Sequence, residues 1–405
     1  MNSMLPINVL YVEENQDGTT GGSHACLLDM VRAIDKSKVS PYVMFYEENR
    51  LLNDFMAEKA KVFIYRKSRA FKFRNTSNGL LVNRIPRLII NIFITDIIPL
   101  IYYIYFIIRH EIKIIHLNNT VFAGLLWVIA AKITRRKIIV HERTRLARID
   151  LINRYHYKWF DYILGVSKSS KFYLEMNNVN LSNYSTFYDR IDVDKFRSKV
   201  TKGRGEVRKE FNLKIEQPCI GIVGNLQRWK GQLNIIDAVG QLIDKYPDII
   251  CLLIGDSSKK SLDDIAYYQE INSKIQENNL QKNIIITGHR NDIPDLLNAI
   301  DIFIHASITP EPYGLVVLEA MAMGKAIIAS SEGGPAEMII NNKSGLLIEP
   351  NDPEILASSL DFLLSDKEKC KEMGFAAYKR VLENFSELDI SFVENLYLNL
   401  LKIKL

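Results

Sequence analysis

Ile300-Asp-Ile-Phe-Ile-His305-Ala306, four intervening residues, Glu311-Pro-Tyr313-Gly314-Leu315-Val-Val-Leu-Glu319-Ala-Met-Ala-Met-Gly324 and then Lys325-Ala-Ile-Ile-Ala329 is the stretch from which the fold can be read. Two short apolar runs of buried-strand type enclose a loop and a helix, which reads as strand, loop, helix, strand with a parallel crossover. The amino end of such a helix has unpaired N–H groups and a partial positive charge, and Gly314 lets backbone come close to an anion such as a diphosphate. Glu319 lies more than a turn into the helix, where a carboxylate can accept hydrogen bonds from a ribose diol. Glu311, in the loop ahead, can take sugar hydroxyls. Alone, these residues are better described as a buried helix with two solvated acids, so the rest of the chain has to decide.

The same alternation runs through both halves. Ile7–Val12, Tyr42–Tyr46, Val62–Tyr65, Ile112–Leu117, Ile138–Val140 and Tyr162–Val166 read as strands between helical stretches in the first. Cys219–Val223, Ile249–Ile254, Ile284–Ile286, Ile302–Ile304, Ala326–Ala329 and Gly345–Ile348 do so in the second. This is the pattern of two α/β, doubly wound parallel sheets. The charged, glycine-containing segment Lys195–Gly205 separates them, which gives domains over residues 1–195 and 196–384. Ligands of open α/β sheets bind at the carboxyl ends of the strands.

A chain of 405 residues, 47% hydrophobic and 24% charged, is long enough for two cores. Residues 1–200 hold 30 Lys and Arg against 18 Asp and Glu, leaving 22 against 29, so the halves carry +12 and −7. A basic first half points to an anionic partner, whether lipid headgroups, a phospholipid-linked glycan or nucleic acid. Nucleic acid is set aside because no stacking platform or recognition motif accompanies the charge. Cys26, Cys219, Cys251 and Cys370 lie far apart without paired-ligand spacing, which implies a reducing compartment and no zinc site. The amino terminus turns acidic at Glu13-Glu14 after a strand-length apolar run and reads as a first strand rather than a signal peptide.

Leu88–Ile108 is a 21-residue run with one charge, Asp96, and one proline, Pro99. Its length permits a membrane span, but threading it through a bilayer would tear it from the strand that follows. It reads as a crossover helix buried on the sheet, as a helix lying in the membrane interface, or as both. The interface reading draws on Arg66, Lys67, Arg69, Lys72, Arg74, Arg84 and Arg87 just before it.

Further motifs sit at strand ends. Gly221-Ile-Val-Gly224-Asn225-Leu-Gln-Arg228-Trp-Lys230-Gly231 leads from a strand into a helix expected over Gln232–Tyr246, and Arg228 and Lys230 can hold positive charge over a diphosphate. Gly21-Gly22 precedes a helix expected over Ala25–Ile34 and permits close backbone approach. His141-Glu142-Arg143 follows the strand ending at Val140, so His141 is expected to point into the ligand cleft. Gly333-Gly334-Pro335-Ala-Glu337 either completes a phosphate and sugar pocket or is a tight turn. Asp192-Val-Asp194 has the form of a metal-binding DxD but sits at the interdomain connection and is discounted. His116 and His305, inside strands, are expected to be core or hydrogen-bonded.

Together these motifs resemble the GT-B retaining glycosyltransferases of family 4, over nearly the whole chain. Glu311 through Glu319 is similar to the family's E-x7-E segment. Gly224 through Gly231 is similar to its GR…KG loop, with Asn225 where Arg is commoner. Gly21-Gly22, His141-Glu142, Gly165-Val-Ser167-Lys-Ser and Gly333-Gly334-Pro-Ala-Glu337 look like family positions, and Phe385–Leu405 would be the family's crossover helix, returning to the first domain. The resemblance implies that Arg228 and Lys230 bind the diphosphate with help from the Gly314–Leu315 backbone, and that Glu319 holds the ribose. Glu311 would contact the donor sugar and His141 would lie near the reacting carbon. Gly21, Gly22, Asn225 and Tyr313 would complete the donor site. It further implies retention of configuration with no metal or cofactor, the leaving phosphate accepting the acceptor's proton on the same face.

The expected protein is a cytoplasmic bacterial hexosyltransferase, peripheral at the inner face of the cell membrane. Its donor would be a nucleotide sugar, UDP first and GDP second. Its acceptor would be a glycan or lipid-linked glycan in lipopolysaccharide, capsule or exopolysaccharide synthesis. The rivals are a nucleotide-sugar epimerase or hydrolase of the same architecture, and a nucleotide-sugar-binding protein without turnover.

Overall fold

The computed structural model describes residues 5–14, 21–66, 92–119, 124–143, 149, 151–257 and 261–403. The aliphatic runs form two parallel sheets, and their central strands are buried on both faces, as a sheet covered by helices on each side requires. The first sheet holds β1 (Ile7–Val12), β2 (Val39–Phe45), β3 (Lys61–Ile64), β4 (Ile114–Leu117), β5 (Lys137–Glu142), β6 (Tyr162–Gly165) and β7 (Tyr184–Thr186) in the order β3-β2-β1-β4-β5-β6-β7. The second holds β8 (Cys219–Val223), β9 (Ile250–Ile254), β10 (Ile284–Gly288), β11 (Ile302–His305), β12 (Ala326–Ser330) and β13 (Leu346–Ile348) in the order β10-β9-β8-β11-β12-β13. In each, the chain winds outward from one central strand and then restarts beside it. The order therefore reverses between β1 and β4 and between β8 and β11, and these switch points are where such sheets bind ligands.

The strand β7 has no counterpart in the apolar pattern, because Tyr184-Ser-Thr186 is short and only half-buried. The helix expected to reach Tyr246 ends at Leu242. The helix expected from Ala25 starts earlier, at Gly22. The compact units are 1–166 with 171–187 and 388–405, and 167–170 with 188–387, so the division falls before Lys195. Residues 195–205 are not a loose connection. Phe196 is buried, and the Asp295 carboxylate accepts from Thr201 N at 2.7 Å and Lys202 N at 3.1 Å. Asp192 caps helix Val193–Arg197 by accepting from Lys195 N at 2.9 Å, a structural task. Phe385 ends helix Lys367–Phe385 in the second unit, and the return to the first begins at Leu388. Helix Ile390–Leu400 then buries Val393 and Tyr397 in the core that also holds Val9 and Tyr11 of β1.

Within 88–108, residues 88–91 lie outside the described set, as do Lys67, Arg69, Lys72, Arg74, Arg84 and Arg87 of the basic cluster. Arg66 is exposed and paired with Glu48 at 2.7 Å. A π-helical turn over Phe93–Ile97 leads into helix Ile98–Arg109, whose Pro99, Tyr103, Phe106 and Ile107 are buried. Tyr103 stacks on Trp127 with centroids 3.8 Å apart. The opposite face leaves Ile97, Ile98, Ile101, Tyr105 and Ile108 exposed at helical spacing. Among the described residues no helix is long and apolar enough to cross a membrane.

Candidate active site

At the switch point of the second sheet, the loop after β8 meets the loop after β11. The first closes with a 3-10 turn, Arg228–Lys230, followed by Gly231 at φ 73°. A Cβ on Gly231 would stand 2.0 Å from the Ala306 carbonyl oxygen, so only glycine lets this loop lie against the end of β11. There Lys230 Nζ donates to Glu311 Oε2 at 2.7 Å. His305 Nε2 lies 2.6 Å from the same oxygen and Ser307 Oγ 3.3 Å. An ionised carboxylate only accepts, so His305 carries its hydrogen on Nε2. The Lys230 and Glu311 side chains are 10% and 15% exposed, which leaves their attraction poorly screened. Burial alone would raise the Glu311 pKa. The Lys230 ammonium and His305 overcome it and hold the carboxyl well below the usual carboxylate range.

The Glu311 loop is braced from β12. Gly334 N donates to Glu311 O at 2.9 Å, while a Cβ on Gly333, at φ 83°, would lie 2.4 Å from that oxygen. Pro312 O accepts from Ser167 Oγ at 2.7 Å. Glu337 accepts from Lys168 N at 3.1 Å, Ser169 N at 2.7 Å and Tyr188 OH at 2.7 Å. The Gly333–Glu337 and Ser167–Ser169 motifs are thus scaffold around this loop. Tyr313 is buried and its hydroxyl donates to Asp189 O, so its side chain anchors the loop.

Gly314, at φ 89°, begins helix Leu315–Ala322, and no side chain caps that end. Glu319 is in the second turn. Burial lifts its carboxyl to about 7, against a lowering influence from Lys199. The folded chain therefore favours neutral Glu319, and stability should fall as pH rises from 4.5 towards about 7. Glu319→Gln should flatten that slope in pH-dependent urea unfolding. A slope unchanged by the substitution removes Glu319 as its source.

Two expected residues are placed differently. Arg228 is exposed, pairs with Glu270 at 2.6 Å and lies 5.0 Å over the Tyr267 ring, whereas Lys230 turns to Glu311. With three residues per turn, positions two apart in a 3-10 helix point about 120° from each other, so the two cations do not share one target. His141 does not end its strand. Because β5 continues in register to Glu142 opposite Gly165, His141 is internal and fully buried, with Nδ1 3.2 Å from Arg143 Nη2. Burial, with Arg143 next, holds its pKa well below the usual value, which keeps the ring neutral.

Asn225 is exposed, and its carbonyl accepts from Gln232 Nε2 at 3.0 Å. Gly21 and Gly22 open the first helix of the first unit. Gly21 has an ordinary φ of −103° and no atom within 4 Å of a built Cβ, so neither strain nor crowding demands glycine there. At that unit's switch point, Glu13 accepts from Asn118 Nδ2 at 2.6 Å and Asn119 Nδ2 at 3.0 Å. His305 is buried and hydrogen-bonded as its strand position suggests, and the sequence does not name Glu311 as its partner; Glu13, at the carboxyl end of the other switch-point strand, carries no motif that marks it. Among the described residues no group of three or more His, Cys, Asp or Glu could hold a metal ion.

Residues 203–380 match the family model described as Glycosyl transferases group 1. An uncharacterized glycosyltransferase of Methanocaldococcus jannaschii is 28% identical over 240 residues, 58% of this chain and 57% of that protein. A UDP-Gal:alpha-D-GlcNAc-diphosphoundecaprenol alpha-1,3-galactosyltransferase of Escherichia coli is 26% identical, covering 71% of this chain and 77% of its own length. The chain spans only 42–55% of the length of four other curated relatives. The Anabaena protein HepE, crystallised with UDP and glucose, superposes with a TM-score of 0.75 over 98% of this chain and 99% of that one, at 21% identity. The two parallel-sheet units are those of the GT-B glycosyltransferase fold.

Proposed function

We propose that the chain is a retaining, metal-independent glycosyltransferase that moves a hexose-type residue from a nucleoside diphosphate sugar, UDP first and GDP second, to a glycan or lipid-linked glycan. The observation that carries this reading is the buried Lys230–Glu311–His305 cluster at a sheet switch point, one loop ahead of a glycine-started helix bearing Glu319. Lysine has three N–H donors and Glu311 takes one, so Lys230 can donate to the leaving diphosphate while it holds Glu311 in place. His305 fixes the Glu311 carboxylate for the sugar hydroxyls, and Glu319 takes the ribose. The bond from the anomeric carbon to the phosphate oxygen breaks, the acceptor oxygen bonds to that carbon on the same face, and the acceptor's proton passes to the departing phosphate. The UDP-Gal donor and diphosphoundecaprenol-linked acceptor in the name of the E. coli relative support a UDP-sugar donor and a lipid-linked glycan acceptor, and the pathway proposed for them is surface-polysaccharide or lipopolysaccharide synthesis.

A thermal-shift screen of nucleoside diphosphates tests the donor half, because a ligand that binds only the native state raises the melting temperature. UDP should give the largest shift and GDP the next; no shift with any nucleoside diphosphate contradicts the reading. If ionised Glu319 holds the ribose, UDP affinity should also rise between about pH 6 and about pH 8, and Glu319→Gln should remove that rise.

Peripheral attachment to the cytoplasmic face of the membrane belongs to the same reading. The exposed stripe Ile97, Ile98, Ile101, Tyr105 and Ile108 supports it, as does the +12 of residues 1–200. Binding to anionic vesicles should weaken as salt shortens the Debye length from about 10 Å at 0.1 M. Substituting Ile101, Tyr105 and Ile108 together with Asn should lower vesicle partitioning about tenfold while UDP binding stays unchanged. Wild-type protein that ignores anionic vesicles at low salt would make the stripe irrelevant to membranes.

A further inference from the structure

The second unit also holds a cavity of about 490 Å³, within the range taken by small ligands. It lies where strands begin, at Pro218 ahead of β8, Asp301 ahead of β11 and Lys325 ahead of β12. Lys230 and Glu311 follow the opposite ends of β8 and β11, and a five-residue strand spans about 16 Å. The cavity is therefore separate from the candidate active site.

Its polar side is short of negative charge. Lys325 Nζ donates to Asn298 O and Ile300 O, both at 3.1 Å. Arg204 reaches the same carbonyls and donates to Asp301 Oδ1 at 2.5 Å, and Arg208 takes Oδ2 at 2.9 Å. Two arginines thus take both oxygens of Asp301 and leave Lys325 with carbonyl partners only, and burial, followed by Arg204, pushes the Lys325 amine down to about 8. Lys367 and Lys371 stand at the exposed mouth, where Glu216 at 3.8 Å and Glu368 at 2.7 Å pair with them, so the unbalanced charge is the inner group around Asp301, and Leu363 and Leu364 form an apolar wall. Capping of helix Ile293–Ala299 accounts for the two carbonyl contacts. It does not account for Arg204, Arg208 and Lys325 gathering beside a single carboxylate, or for the apolar space next to them. Lys325 uses two of its three donors on those carbonyls.

We propose that this cavity binds a small amphiphilic anion, with a carboxylate or phosphate head group on Lys325 and an apolar body against Leu363 and Leu364. The full chain would be titrated with decanoate, decyl phosphate and inorganic phosphate by calorimetry. In parallel, iodoacetamide alkylation of Cys370, which lines the cavity, would be followed by peptide mass spectrometry. At about 1 mM, one of the two amphiphiles should slow Cys370 alkylation at least about fivefold. Lys325→Met should weaken its binding about tenfold while UDP affinity is kept, and Leu364→Trp should do the same by filling the apolar side. If decanoate acts and decyl phosphate does not, the head group is a carboxylate; the reverse assigns a phosphate ester. The proposal is overturned if neither amphiphile protects Cys370 in the wild type, if inorganic phosphate protects equally, or if protection survives in folded Lys325→Met. The wild-type titration decides alone should either variant fail to fold.

Discussion

Replacing Lys230 with Met should lower kcat by about 10²–10³-fold, with a much smaller change in the affinity for the nucleotide sugar. The reasoning starts from the 2.7 Å contact with Glu311 in a site that is 10–15% exposed. A fixed ammonium in such a setting needs no reorganisation when charge grows on the departing diphosphate, so its effect is larger in the transition state than in the bound donor. The same substitution leaves Glu311 ionised and short of a partner. Removing one member of a buried pair typically costs about 3–5 kcal/mol of stability, while the double variant Lys230→Met/Glu311→Gln should recover part of that loss. Urea unfolding of the two single variants and the double variant measures the coupling. A folded Lys230→Met protein with near-normal kcat removes this lysine from the mechanism.

Glu311→Ala should weaken the intact donor about 10–100-fold and change affinity for free UDP by less than about threefold, since only the sugar is lost from its reach. Because the folded carboxyl is held below its ordinary value of 4.5, its pairing stabilises the fold above that pH, and the contribution disappears as pH falls through the lowered folded value. Calorimetry with UDP and with UDP-sugars separates the two ligands. If the variant loosens free UDP as much as the donor, Glu311 does not act on the sugar and the division of labour with Glu319 is wrong.

Lys230, Glu311, Gly314 and Glu319 could be placed from sequence because each sits in a local strand-loop-helix unit whose apolar runs mark where the strand stops and the helix begins. His305 could not. Its partner is six residues away in a loop whose path depends on Gly333 and Gly334, and no local pattern encodes a brace that distant. Arg228 and Lys230 look equivalent in the sequence, and the 3-10 turn divides them between Glu270 and Glu311. Hydropathy ends the strand of His141 at Val140, while the register with β6 carries it on to Glu142. The sheet order itself is not legible, although twelve of the thirteen strands among the described residues are, since a parallel doubly wound pattern fixes the strand type and not which strands are neighbours.

The most direct test of the account is to incubate the full chain with UDP- and GDP-hexoses, with and without a diphosphoundecaprenol-linked sugar acceptor. Released nucleoside diphosphate and the mass and anomeric configuration of the lipid product would then be measured together. The account predicts nucleoside diphosphate release that depends on the acceptor, a lipid product heavier by one hexose with the donor's anomeric configuration kept, and loss of both in Lys230→Met. Free sugar or an epimerised donor formed equally well without acceptor, or tight donor binding with no cleavage across the whole panel, would contradict it.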